Sequence, residues 1–503
     1  MSDNMKKGLI MISPMDSVAV ALAPLSAGET YTVDGHTVTL IDDIPFGHKV
    51  ALQDIPENQN VIKYGHPIGH TICPVKKGQH IHTHNMKTNL SGLLEYTYDR
   101  NDEVLKMFEG KLEEATFEGY QREDGRVGVR NELWIVPTVG CVNTTAKRLE
   151  EAARKAFGDK VDGVYAYTHN MGCSQLGDDQ ATTMKLLAGL IKHPNAGGVL
   201  VLSLGCENNN LDVFKPYLGD FDENRIKFLV TQDVEDEYEA GMELLGQLAE
   251  HAATYHREPV SAKNLVIGFK CGGSDAFSGI TANALCGRLN DKVVRHGGST
   301  ILTEVPEMFG AETLLMERAV DEETFHETVD LINNYKNYFT RYNQTIYENP
   351  SPGNKKGGIS SLEEKSLGCT QKGGHAPVVG VLGYGQQVTK NGLNLLTGSG
   401  NDQVSCTNLV CSGATIVCFT TGRGNPFGSP VPTVKISSNT PLYERKRHWI
   451  DFNAGQILDG KSIDETADLF FQYILDVASG RIQTRNEEYG YKEISIFRDG
   501  VIL

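Results

Sequence analysis

Glu132-Leu133-Trp134-Ile135-Val136-Pro137-Thr138-Val139-Gly140-Cys141 is an apolar, β-prone run that ends in a cysteine beside a glycine and opens into polar residues. The pattern recurs from Val164 to Gly172-Cys173, from Val199 to Gly205-Cys206 and from Leu265 to Cys271-Gly272-Gly273. Buried parallel strands read as such continuous apolar runs, and the carboxyl ends of strands in an open α/β sheet border the ligand crevice. Four such endings predict one site lined by Cys141, Cys173, Cys206 and Cys271.

Outward from these runs the chain alternates strand and helix patterns. Glu132–Pro137 precedes Thr144–Phe157, Val164–Tyr167 precedes Asp179–Lys192, Val199–Leu204 follows, and Ile226–Thr231 precedes Glu235–His251. Leu265–Phe269 precedes Thr281–Arg295, and Ser299–Val305 precedes Ala311–Ala319. The alternation predicts a large α/β body with mainly parallel sheets. Within it a soft boundary near Tyr255–Lys263, at His256-Arg257-Glu258-Pro259, divides residues 119–257 from 258–503. Glu322–Tyr342 and Ser462–Ala478 read as helices. Val378–Leu382, Gly392–Leu396, Ala414–Thr420, Val434–Ile436 and a closing stretch at Glu493–Phe497 with Val501–Leu503 read as strands. The Gly-rich stretch Asn349–Gly374 reads as a long loop, which inside an α/β domain signals function or disorder.

Before the body, residues 1–88 read as a small all-β domain of short strands between turns, closing with His80–His84. Residues 89–118 turn polar and read as a linker with some helix. Seven of the fifteen histidines precede position 85, and in His82-Thr83-His84 strand alternation sends both imidazoles to one face.

At 503 residues with 40% apolar content, the chain has material for several domains and a sizeable core. The net charge of −17 argues against a nucleic-acid surface, which needs clustered Lys and Arg. No signal-like segment and no apolar stretch near about 18 residues is visible, so secretion and membrane spanning are not expected. Ten cysteines then read as free thiols in a reducing cytoplasm.

A strand-end thiolate is a nucleophile, a soft metal ligand or a small buried residue. None of the four lies in a CxxC pair, and no GxGxxG or GxxxxGKS spacing occurs, so zinc-ribbon, redox and nucleotide readings lack support. Iron, mononuclear or as a cluster, stays open. In His169 to Asp179, His169 is a candidate acid or base. Glu207 in Gly205-Cys206-Glu207 is a candidate base or ligand. Cys271-Gly272-Gly273-Ser274-Asp275 offers backbone N–H groups to a carboxylate or phosphate, with Ser274 and Asp275 as substrate contacts, and Arg423 in Thr421-Gly422-Arg423-Gly424 suits a carboxylate clamp.

These strings, with Gly47-His48-Lys49-Val50-Ala51-Leu52, Gly128-Val129-Arg130-Asn131-Glu132-Leu133 and Cys271 to Asn283, resemble the altronate/galactarate dehydratase family from about Ser17 to the C-terminus. The resemblance implies an SAF-type β-clip domain followed by an α/β dehydratase body. It also implies dehydration of D-altronate to 2-dehydro-3-deoxy-D-gluconate with Fe2+, Mn2+ or an iron–sulfur cluster being the alternatives. His82-Thr83-His84-Asn85 and Cys369 favour the altronate branch over the galactarate branch. On this reading His48, His82 and His84 approach the crevice as iron ligands or acid/base groups, and Lys49, Arg130 and Arg423 hold the carboxylate. Cys141, Cys173, Cys206 and Cys271 are the alternative iron ligands. The expected partner is a small sugar acid, with no nucleic acid or membrane, in a homo-oligomer. Rival readings are another sugar-acid or sulfonate lyase, a non-catalytic sugar-acid sensor, and a nicotinamide-dependent oxidoreductase.

Overall fold

A computed structural model describes residues 8–501. The N-terminal module is all-β. Leu9–Ile10, Val18–Ala21, Lys49–Ala51 and His80–Ile81 form an antiparallel sheet, joined by the ribbon Thr30–Val33/His36–Thr39 and the sheet Asn60–Lys63/His66–Thr71/Met86–Lys87. Asp34-Gly35 and Tyr64-Gly65 both carry positive φ, the two-residue turn whose twist suits a tight hairpin. Ala19, Ala21, Val38, Leu40, Ile44 and Val50 fill one core of this module.

The body contains two separate parallel sheets. The first orders Gly163–Ala166, Glu132–Pro137, Ala196–Ser203 and Ile226–Val230. The second orders Val378–Leu382, Gly392–Leu396, Ser299–Leu302, Val266–Cys271, Ile416–Thr421, Thr433–Ser437 and Phe452–Asn453, all parallel. Helices Gly177–Ile191 and Asp402–Cys411 pack together between the sheets in one apolar cluster with Trp134, Val199, Leu409 and Val417. Helices Ala282–Arg295, Glu322–Arg341 and Ile463–Ala478 cover the far side of the larger sheet, where Leu285, Ile332 and Ile474 are buried.

Three readings change, and the boundary segment gains a strand. The cysteine endings belong to two sheets, because Cys271 ends a strand of the seven-stranded sheet while Cys141, Cys173 and Cys206 follow strands of the four-stranded one. The stretch Asn349–Gly374 is largely helical at Pro352–Lys356 and Leu362–Thr370, each opened by a serine (Ser351, Ser361) whose side chain accepts from a first-turn N–H. The break near Tyr255–Lys263 contains the strand Glu258–Ser261, paired antiparallel with Thr116–Gln121. Glu493–Phe497 is irregular and tied to the body by bonds from Glu493 N to Gly428 O and Ser495 N to Thr407 Oγ1, and Ile502 and Leu503 lie outside the described residues.

Candidate active site at the module–body seam

Four imidazoles of the β module gather at the body, where His48 and His82 meet one strap, residues 349–358. The strand His80–Ile81 ends before His82, and His82-Thr83-His84-Asn85 is a turn, so the strand alternation expected of His82 and His84 does not occur; instead the His48 ring lies 4.9 Å from His82 and 5.1 Å from His80, and His84 lies 5.3 Å from His80. His48 Nδ1 lies 3.0 Å from His80 Nε2. His82 Nε2 meets Lys355 O at 2.9 Å and His48 Nε2 meets Lys356 O at 3.3 Å. Gly47 and Gly358 set this closeness: Gly358 has φ +96°, and a Cβ there would stand 2.2 Å from Gly47 O.

Burial, then the neighbouring imidazoles, pushes His80 down to about 3; burial, then Lys49, takes His82 down to about 4; burial also lowers His48. These rings are therefore neutral near pH 7, the form that ligates metal or takes a proton. In the metal-free chain the folded state refuses protons that the unfolded state accepts below about 6.5. Stability should fall as pH drops from about 6.5 toward about 4, and His80→Asn should reduce that fall. Melting temperature against pH checks this, and parallel curves for the two proteins would contradict it.

Behind the strap, at the carboxyl edge of the seven-stranded sheet, lies a buried charged cluster. Lys365 Nζ is 2.9 Å from Glu307 Oε2, 3.0 Å from Ser274 Oγ and 3.4 Å from the sulfurs of both Cys271 and Cys369. The sulfurs are 3.4 Å apart. The Cys369 hydrogen bond, then the ammoniums of Lys365, Lys372 and Lys270, outweigh burial and hold the Cys271 thiol well below its ordinary value. Glu304 contacts Lys270 and Lys372 with a left-handed backbone (φ 69°), and burial, then the Cys271 charge, raises it to about 8. A non-glycine residue held there costs about 1–3 kcal/mol, strain that concentrates at functional sites. Asn349 Nδ2 to Glu307, Asn354 Nδ2 to Ser274 O and Arg423 Nη1 to Gly353 O bind the strap to this edge.

Two donor sets thus compete for a metal. Ligand atoms of Cys271, Glu307 and Cys369 lie within 4.8 Å of one another, but the Lys365 ammonium already neutralises them. A divalent ion there would meet a fixed cation. The histidine quartet carries no fixed cation and offers nitrogen donors of the kind suited to Fe2+ or Mn2+, but no three of its nitrogens lie within 4.8 Å of one another, so an ion there has to draw its ligands together.

The structure brings His48, His82, His84, Ser274, Cys271 and Arg423 to this seam, with His84 and Arg423 exposed. It gives other residues of the sequence reading different work. Lys49 is fully buried, donating to Gly358 O, Ser360 and Glu364. Arg130 is buried against Glu487, Val129 O and Val477 O, so neither cation is free to clamp a substrate. Asp275 accepts from Ser278, Ser438 and Asn439 and pins its own loop. Both nitrogens of His169 are used, Nε2 to Pro137 O and Nδ1 accepting from Met171 N; burial holds it neutral, down to about 4. Glu207 accepts from Thr138, Ser203, Leu204 N and Gly205 N, bonds that outweigh burial and lower it. These two act as posts in the four-stranded sheet. The site residues that the sequence reading passed over are His80, Glu304, Glu307 and Lys365. Only His80 had a signal, its place two residues before His82 in the closing segment.

This architecture defines a modular α/β protein with a histidine-rich β module docked over the carboxyl edge of a parallel sheet. Three family descriptions match it: "Altronate/galactarate dehydratase SAF domain" over residues 7–89, "D-galactarate dehydratase/Altronate hydrolase, second domain" over 119–253, and "D-galactarate/Altronate dehydratase, C-terminal" over 262–502. The chain belongs to the altronate/galactarate dehydratase family. It is similar to altronate dehydratase of Bacillus subtilis (strain 168), with 52% identity over 501 residues, covering 99% of this chain and 100% of the relative. It is also similar to altronate dehydratase of Escherichia coli (strain K12), with 49% identity covering 98% and 99%. Galactarate dehydratase (L-threo-forming) of E. coli (strain K12) is 35% identical, covering 97% and 96%.

Proposed function

We propose that the chain is an altronate dehydratase, a hydro-lyase that removes water from D-altronate to give 2-dehydro-3-deoxy-D-gluconate. The observation that carries the reading is the similarity, over nearly the whole chain, to two altronate dehydratases at 52% and 49% identity, well above the 35% to the galactarate enzyme. The neutral rings of His48, His80 and His82 suit the chemistry.

In this proposal His80, His82 and His84 hold a divalent ion, Fe2+ with Mn2+ as the alternative. When bound, that ion supplies Lewis-acid polarisation of the substrate carboxylate and 2-hydroxyl. Arg423, exposed beside Gly353, takes the carboxylate in a charge-assisted contact. His48 is the base: its Nε2–H donates to Lys356 O at 3.3 Å, longer than the 2.9 Å bond of His82 to Lys355 O, and substrate replaces that contact once the ring proton has moved to Nδ1. It removes the C2 proton, and the imidazolium so formed protonates the 3-hydroxyl, which departs as water. The enol left behind tautomerises to the 2-keto acid. Protein loaded anaerobically with Fe2+ should form 2-keto-3-deoxy product from D-altronate at least tenfold faster than from galactarate, and a chelator should abolish turnover. Equal rates on the two acids would defeat the substrate assignment, and full activity after chelation would defeat the metal.

A further inference from the structure

We propose that Cys141, Cys173 and Cys206 form a second metal site, separate from the histidine quartet, that binds a [4Fe–4S] cluster through three thiolates. The inference stands apart from the dehydratase reading and from the seven-stranded sheet.

The three cysteines follow three laterally adjacent strands, Glu132–Pro137 in the centre with Gly163–Ala166 and Ala196–Ser203 on either side. Their loops are bonded into one crown. Gly140 N donates to Met171 O, Asn209 N to Gly172 O, and Ser174 N to Asn208 Oδ1, so each cysteine lies within three residues of a bond to a neighbouring cysteine loop. His169 and Glu207, fully bonded within these loops, fix the crown from below. Gly172, at φ +100°, is what lets the second loop close on the first: a Cβ there would stand 2.0 Å from Thr138 O. So much fixed backbone beneath three side chains is the support a metal centre needs.

All three thiols are free and exposed, and the only other exposed cysteine among the described residues is Cys73 in the β module. The remaining six are buried. Three exposed thiols concentrated on one sheet edge are a liability unless something occupies them. A single tetrahedral ion, with metal–sulfur bonds of about 2.3 Å, needs its sulfurs within about 4 Å of one another. No group of three ligands within 4.8 Å includes these sulfurs among the described residues. A cluster whose irons are bridged by sulfide takes thiolates set further apart than a single ion does, and these three thiols sit on loops bonded to one another. Gln232 Nε2 also donates to Cys206 Sγ at 3.4 Å, the kind of contact that tunes cluster sulfurs. Binding releases three thiol protons, and three thiolates leave the fourth iron to a solvent ligand.

The full chain, incubated anaerobically with ferrous iron, sulfide and thiol reductant, should take up about four irons and about four acid-labile sulfides beyond the quartet ion. Both should be lost in C141S/C173S/C206S and kept in Cys73→Ser and His82→Ala, the last losing only the quartet ion. The loaded wild-type protein should also shield the three crown thiols from alkylation at least tenfold relative to Cys73, which keeps the test decisive if the triple variant fails to fold. No sulfide uptake by the wild type, equal uptake by the triple variant, or equal labelling of all four exposed cysteines would each overturn the site. None of these readouts involves D-altronate, so failure here and failure of the dehydratase reading are told apart.

Discussion

His82→Ala should lose the bound divalent ion and about 10³-fold or more in turnover, while His48→Asn should keep the ion and lose about 10²–10⁴-fold in kcat. The two rings sit 4.9 Å apart with similar contacts to the strap, so a merely structural role predicts similar outcomes for both. The proposed division of labour predicts different ones. His82 is a ligand, and its removal empties the site; His48 touches the proton, and its removal leaves the metal in place with no base. Metal content by elemental analysis, measured beside kcat and KM, separates the two. An unchanged ion content in His82→Ala would remove it from the ligand set, and a fully active His48→Asn would remove the base.

Glu364→Ala should destabilise the docking of the β module by about 3–5 kcal/mol, the range for stranding buried partners of an ion pair. Glu364 receives Lys63 at 2.7 Å and Lys49 at 2.9 Å, with all three side chains essentially inaccessible to water. Its removal leaves two buried ammoniums facing each other. Against burial, Lys49 and Lys63 hold the carboxyl down to about 2, below its ordinary 4.5. The stabilisation is therefore present above about 4.5 and is lost as pH falls toward about 2. The expected signature is faster proteolysis of the 89–118 connection at neutral pH, together with loss of the quartet ion, because the strap and the histidines meet only when the module is docked. Wild-type proteolysis rates in Glu364→Ala would show that apolar contacts alone hold the seam.

What was legible in the amino-acid sequence follows from which interactions are local. Leu133–Val136 and Val199–Leu202 are buried on both sheet faces, and continuous apolarity announces such strands without any tertiary information. The division into two sheets was not legible, because strand order depends on helices such as Gly177–Ile191 and Asp402–Cys411 meeting in space. Long-range pairing likewise hid the roles of the cations. Arg130 finds Glu487 across 357 positions and Lys49 finds Glu364 across 315, so each reads alone as an unpartnered clamp. Lys365 and Glu307 went unread for the same reason. The glycines of 349–374 suggested a loop, whereas the serine caps of its two helices were the overlooked local signal.

The proposed dehydration depends on where the divalent ion sits. Anomalous diffraction at the iron edge, from crystals of the Fe2+-loaded protein, should place a single-ion peak among His80, His82 and His84, apart from any density at the strand-end cysteines of the smaller sheet. An empty quartet with iron bound between Cys271 and Cys369 would contradict the account.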